Sequence, residues 1–243
     1  MSGFYDMHCH LLPGIDDGAQ DPEESLAAMK LSYEQGIRTI VCTPHFWQEE
    51  EMAADKTQVA ALLQKMQETV RAAGMEDLTL VQGNELYWPG GIPEALAEGR
   101  ASAIGAGPYV LVEYAEMTPY EEIRNSVREL SMNGYRVILA HVERFDALYR
   151  EEYNQRELLS MGAVFQMNTS VFKGLFADAR TRYWRGKCKE GMIDLIGSDS
   201  HGTHYRPPEW RPAIAWIRKN LPRRQARRLL LDNPKAILAG RML

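Results

Sequence analysis

Five of the six histidines in this 243-residue chain stand beside acids, or beside each other, at the ends of short apolar runs. Asp6-Met7-His8-Cys9-His10 comes first and is followed by Asp16-Asp17. Thr43-Pro44-His45, Ala140-His141-Val142-Glu143-Arg144 and Ser198-Asp199-Ser200-His201 come later. Imidazole and carboxylate are ligand types that suit Zn, Mn and Fe. Residues i and i+2 of a strand share one face, so His8 and His10 can turn toward one ion together. The chemistry these residues predict is that of a metal centre gathered from loops spread over the chain.

Two further acids join the set. Glu85 in Gly83-Asn84-Glu85 and Glu113 in Leu111-Val112-Glu113 each close an apolar run. A carboxylate is costly to bury there unless it is paired or bound to a cation. Asp16 and Asp17 precede Gly18 and suit a turn; Asp17 is read as the ligand and Asp16 as the turn-former. The candidate ligands are then His8, His10, Asp17, His45, Glu85, Glu113, His141, Asp199 and His201. They exceed the needs of one ion, and two ions sharing carboxylates, or three, would use them. Clustered divalent cations suit phosphate esters, because they generate hydroxide near neutral pH and neutralise phosphoryl oxygens. Arg144 and Arg206 follow His141 and His201 closely, and guanidinium matches phosphate bidentately, so both are candidate substrate clamps. Trp47, Tyr87 and Trp88 follow ligand candidates and suit the wall of a cleft as well as a core.

Other chemistries are excluded or unsupported. None of the three cysteines is followed by arginine six residues on, so a thiol phosphatase loop is absent. No GxSxG elbow supports serine hydrolysis. The cysteines form neither a CxxC pair nor a disulfide framework, which points to a reducing, cytoplasmic setting. A net charge of −5 offers no general attraction to nucleic acid or anionic membrane. The beginning of the sequence does not read as a signal peptide, and no apolar run is long enough to span a membrane.

The elements that must position these residues alternate. Strands are expected at Phe4–His8, Arg38–Thr43, Leu78–Gln82, Tyr109–Tyr114, Arg136–Ala140, Ala163–Met167 and Asp194–Gly197. Helices are expected near Pro22–Gln35, Asp55–Ala73, Pro119–Asn133, Glu151–Ser160, Asp178–Glu190, Pro208–Asn220 and Arg223–Ala239. Asp21-Pro22-Glu23-Glu24 and Thr118-Pro119-Tyr120-Glu121 read as helix starts. Glycines at 36, 134, 162 and 191 read as helix stops just before strands. This alternation predicts an α/β fold with parallel strands and helical crossovers, in one domain over residues 1–243. Seven strands suffice to close a barrel, with a doubly wound sheet as the rival. The polar clusters fall at the C-terminal ends of the strands, where α/β barrels place their active sites.

On these residues the chain resembles the bacterial tyrosine-protein phosphatases of the polymerase-and-histidinol-phosphatase (PHP) superfamily, associated with capsular and extracellular polysaccharide synthesis. The matching stretches include Asp6-Met7-His8-Cys9-His10, Ile15-Asp16-Asp17-Gly18, Gly83-Asn84-Glu85-Leu86-Tyr87, His141-Val142-Glu143-Arg144-Phe145, Ser198-Asp199-Ser200-His201 and Arg206-Pro207-Pro208. The resemblance implies a single-domain, distorted (βα)7 TIM-like barrel of the PHP type. It implies three divalent ions, manganese foremost, with Fe, Zn, Co or Mg as alternatives. One ion would take His8, His10, Glu85 and Asp199; a second would share Glu85 and use Glu113 and His141; the third would use Asp17, His45 and His201. Arg144 and Arg206 match arginines that hold the phosphate. The implied substrate is phosphotyrosine on an autophosphorylated bacterial tyrosine kinase. The alternatives are a small-molecule phosphoesterase, such as a histidinol phosphatase, or a non-catalytic regulatory subunit of the kinase. The chain departs from the pattern after His45, where some relatives carry basic residues. It departs again at Glu24, Ala27 and Lys30, where some members carry a Glu-x-x-Arg-x-x-Arg assembly helix.

Overall fold

Apolar runs bounded by helix caps dictate parallel strands joined by helical crossovers. The computed structural model, which describes residues 3–47, 52–174 and 177–243, has this organisation. The strands are β1 Phe4–Cys9, β2 Ile37–Cys42, β3 His45–Trp47, β4 Met52–Ala53, β5 Thr79–Gln82, β6 Glu85–Tyr87, β7 Tyr109–Glu113, β8 Arg136–Leu139, β9 Val164–Asn168 and β10 Leu195–Gly197. The helices are α1 Pro22–Glu34, α2 Lys56–Ala72, α3 Ile92–Ala97, α4 Tyr120–Met132, α5 Glu152–Ser160, α6 Ala179–Glu190, α7 Trp210–Asn220, α8 Arg223–Arg227 and α9 Asn233–Leu238.

The α/β class and its parallel ladders are as expected, but the strands divide between two sheets. One has the order β1-β2-β5 and the other β10-β9-β8-β7-β6-β3-β4. Among the described ladders only β3 with β4 is antiparallel. The division arises at two bends. Pro44 cannot donate to a ladder, so the chain leaving β2 turns at Thr43-Pro44 before β3. The chain leaving β5 turns at Gly83-Asn84 before β6, and a Cβ on Gly83 would meet Ile104 Cδ1 at 2.7 Å. Buried Asn84 fixes both bends by donating to the Pro44 and Ala54 carbonyls, each at 3.1 Å, and accepting from the Ser102 N–H at 2.9 Å.

The outer edges of the two sheets also meet. Cys9 bridges to Ser200, His10 N–H donates to the Ser200 carbonyl at 2.8 Å, and Asp199 N–H donates to the His8 carbonyl at 2.8 Å. Apolar side chains cover both faces of β7, as a parallel strand requires. Val110 and Val112 share a cluster with Ile123 and Val127 of α4, while Leu111 joins Met7, Ile138, Val164 and Leu195.

The helix signals differ in detail from expectation. Asp21 caps α1 through the Glu24 N–H, but α4 begins after Pro119 with no side-chain cap. The expected final helix is interrupted by a π-helical turn at Arg228–Asp232, and α9 restarts with Pro234 in its first turn, where a missing N–H costs least. No helix among the described residues is long and apolar enough to cross a membrane.

Candidate metal centre

The two bends carry two ligand candidates to the starts of β3 and β6, where register pairs His45 with Glu85. Glu113 ends β7, next to Tyr87. His8 lies in β1 and His10 just beyond it; Asp17 follows in the loop before α1. His141 comes two residues after β8, and Asp199 and His201 follow β10. All nine candidates therefore gather at one end of the strands.

Their spacing is that of a coordination shell. Glu85 Oε2 lies 3.2 Å from His8 Nε2, 3.1 Å from His10 Nε2 and 3.3 Å from His45 Nδ1. Glu85 Oε1 lies 3.1 Å from His141 Nε2, which is 3.2 Å from Glu113 Oε1. His8 and His10 bring their Nε2 atoms to 3.1 Å of each other. Asp17 Oδ1 sits 3.4 Å from His45 Nε2 and 3.3 Å from His201 Nε2. Metal–ligand bonds of about 2.1 Å give polyhedron edges of roughly 3.0–3.4 Å, the observed range. His45 Nδ1 is buried and makes no hydrogen bond among the described residues, yet it faces Glu85 and Glu113. Among the described residues, three groups are compact enough to hold an ion: His10 with Asp17, His45 and His201; His8 with His10 and Glu85; and His45 with Glu85 and Glu113. The donor set fits divalent cations.

The electrostatics of the carboxylates agree with that fit, and the raised imidazoles mark the anionic surroundings. Burial opposes the charge on Glu85, but His8, His10 and His141 hold its carboxyl well below the usual range. Burial also opposes a charge on His10, yet Asp16 and Glu85 raise its pKa well above the imidazole norm. His141, equally buried, is lifted to about 10 by Glu113 and Glu85. The hydrogen bond to His201 draws Asp17 down. Glu85 and Asp17 therefore favour the ionised form that holding a cation would require.

Four supporting residues escaped the sequence reading in whole or in part. Asp16 forms its turn, accepting from Gly18 N–H at 3.0 Å, but it also accepts from His10 Nδ1 at 2.7 Å and from His45 N–H at 3.0 Å. Gln166 Oε1 accepts from His8 Nδ1 at 3.2 Å and His141 N–H at 2.8 Å. An amide or carboxylate oxygen at Nδ1 leaves the Nε2 lone pairs of His8 and His10 aimed at the cluster. Gln166 Nε2 donates to Asn168 Oδ1, and Asn168 Nδ2 donates to Asp199 Oδ2, both at 2.9 Å. Buried Asp6 accepts from Ser198 N–H at 2.9 Å and Trp210 Nε1 at 3.1 Å, tying β1 to the segment after β10 and to α7. Only the adjacent Asp-Asp pair and the Asp-x-His spacing gave any signal for these; the amides gave none.

The arginines converge as well. Asp199 Oδ2 accepts from Arg144 Nη2 at 2.5 Å and Arg206 Nη1 at 3.1 Å, which leaves Oδ1 facing His8, His10 and His201. His141, Asp199 and Arg206 all take left-handed backbone, with φ of 31°, 50° and 48°. Such conformations cost on the order of 1–3 kcal/mol and cluster at functional sites. A cleft of about 370 Å³ opens over the cluster, walled by Trp47, Tyr87, Arg144, Arg206 and the carboxylates. Trp88 packs against the core instead.

The model of the capsular polysaccharide synthesis family CpsB/CapC matches residues 4–239. The chain is 29% identical to the tyrosine-protein phosphatase CpsB of Streptococcus pneumoniae, covering 98% of this chain and 99% of that one. It is 26% identical to the tyrosine-protein phosphatase YwqE of Bacillus subtilis over 83% and 78% of the two chains. A solved structure from work on YwqE and CpsB, described as metal-dependent tyrosine phosphatases, superposes with a TM-score of 0.89 at 22% identity, covering 98% and 96%. A phosphotriesterase homology protein of Escherichia coli shares the fold at a TM-score of 0.63 and 12% identity, covering 96% and 97%.

Proposed function

The chain belongs to the CpsB/CapC family of capsular polysaccharide synthesis, and on that premise we propose that it is a metal-dependent phosphotyrosine phosphatase. The observation that carries this reading is the shell of imidazoles and carboxylates around Glu85, spaced for divalent ions and flanked by two arginines on an open cleft. One ion would be held by His8, His10, Glu85 and Asp199, a second by Glu85, Glu113 and His141, and a third by Asp17, His45 and His201. Manganese is the foremost occupant. When bound, such ions supply Lewis acidity toward phosphoryl oxygens and a nucleophile at neutral pH.

The chain's own residues do the rest. Arg144 and Arg206, held by Asp199, present guanidinium donors to the cleft, where they would bind and orient a phosphate dianion. Gln166 and Asp16 fix the imidazoles that face it. The physiological substrate we propose is an autophosphorylated bacterial tyrosine kinase, met in the cytoplasm, where three unpaired cysteines are at home. A (βα)7 barrel in one domain is the matching architecture: counting β2 with β3, and β5 with β6, as single bent strands, and setting aside the two-residue antiparallel β4, leaves seven, and the Cys9–Ser200 bridge supports a seam between β1 and β10.

Manganese-loaded protein is expected to release phosphate from a phosphotyrosine peptide, and EDTA to abolish release. Arg144→Ala and Arg206→Ala should each lower kcat/KM about 10- to 100-fold, the value of a lost charge-assisted hydrogen bond. Full activity in His8→Ala or Asp199→Ala would sink the assignment.

A further inference from the structure

Strand geometry places an aromatic wall directly beyond the metal-facing row. His45 and Trp47 are two apart on β3, and Glu85 and Tyr87 are two apart on β6, so each pair shares a face. The intervening Phe46 and Leu86 turn the other way into the core. Parallel pairing sets His45 beside Glu85, and the next pair on that face, Trp47 and Tyr87, stacks with ring centroids 4.1 Å apart and planes at 23°. Two residues of strand advance about 7 Å. The stacked pair therefore stands roughly one strand step outward from the His45–Glu85 row, on the same wall of the same cleft, with both rings half-buried.

Resting on the phosphatase reading, we infer that Trp47 and Tyr87 form an apolar platform for the aryl group of the substrate and make the enzyme selective for aryl over alkyl phosphates. The phosphoryl oxygens must face the imidazole–carboxylate cluster and the guanidinium groups of Arg144 and Arg206. The ester oxygen and whatever it carries then project toward the mouth of the cleft. A phenyl ring joined through that single oxygen meets the indole and phenol faces there, whereas a seryl methylene is too small to cover them. Aromatic contacts of this kind stabilise by a margin worth about 2- to 10-fold in an equilibrium, beyond area burial. The selectivity thus comes from a pair of rings outside the proposed ligand set.

The test uses the full-length, manganese-loaded protein with two peptides of one sequence, carrying phosphotyrosine or phosphoserine. Trp47→Leu and Tyr87→Leu should each reduce kcat/KM on the phosphotyrosine peptide about 2- to 10-fold, mainly through KM, with a markedly smaller loss on phosphoserine. Trp47→Phe and Tyr87→Phe, which keep a ring, should recover most of the tyrosine preference. An equal loss on both peptides, or leucine variants that keep the wild-type preference, would overturn the platform. A wild-type enzyme that turns over neither peptide defeats the phosphatase reading itself, and the inference with it. Turnover of both peptides without preference leaves the phosphatase standing and removes only the platform.

Discussion

At Glu85 one carboxylate meets four imidazoles, from His8, His10, His45 and His141, all within 3.3 Å. The group is almost wholly buried, at 1% exposure. A carboxylate in such a place would be costly without cations, so Glu85 is the residue on which the metal reading turns. Its neighbours must also be aimed, and here Gln166 decides the outcome. Its carbonyl oxygen accepts from both His8 Nδ1 and the His141 backbone. Removing such a support usually costs 10- to 100-fold in metal affinity or activity. Gln166→Ala should therefore weaken manganese binding by about that factor, read by calorimetric titration, with the fold intact by circular dichroism. Unchanged affinity would show that His8 is aimed by packing alone. Spacing and residue type made the candidate ligands legible in the sequence. The layer behind it was not, because a neutral amide has no signature and Gln166 is 158 positions away from His8.

Among the elements, the bent strands account for most of what periodicity missed. β3 and β6 have three residues each, too few for an alternating pattern to register, and β4 has two. Their existence follows from Pro44 and Asn84, whose effect depends on pairing across the fold. The six-residue α3 was illegible for the same reason of length. Longer runs such as β7 and α4 were readable because apolar residues cover both faces of the strand and one face of the helix. At the entry to β10, remote from the metal cluster, Asp194 supplies a pH test. Burial pushes its pKa up to about 6, while its carboxylate accepts from Phe165 N–H at 3.3 Å. A raised carboxyl pKa means the folded state holds the proton more tightly than the unfolded chain. This contribution to stability is therefore full below about pH 4 and is lost as pH rises through 6. Asp194→Asn keeps an acceptor oxygen and removes the charge. It should be more stable than wild type at pH 8 by on the order of 3 kcal/mol and similar at pH 4, with denaturant midpoints as the readout. A parallel shift at both pH values would refute the linkage.

For the molecule as a whole, the candidate ligands run from His8 to His201, so the centre draws together the ends of nearly every strand. The two sheets meet through β1 and the segment after β10, and both sides of that junction carry ligand candidates: His8 and His10 on one, Asp199 and His201 on the other. Ions held there would cross-link the junction in the folded state and find no such site in the unfolded chain. Binding confined to the native state stabilises by mass action, about 2.7 kcal/mol at a free-metal concentration one hundred times Kd. For a chain of this length each kcal/mol moves Tm by about 2–4 °C, so saturating manganese should raise Tm by roughly 5–10 °C above the EDTA-treated protein. Calorimetric scans of both forms measure the increment. Glu85→Ala should remove most of it, since that carboxylate touches every imidazole but His201 in the proposed ligand set. If manganese and EDTA leave Tm equal in the wild-type protein, the ligand cluster is held by its own hydrogen bonds and does not serve as the clasp between the two sheets.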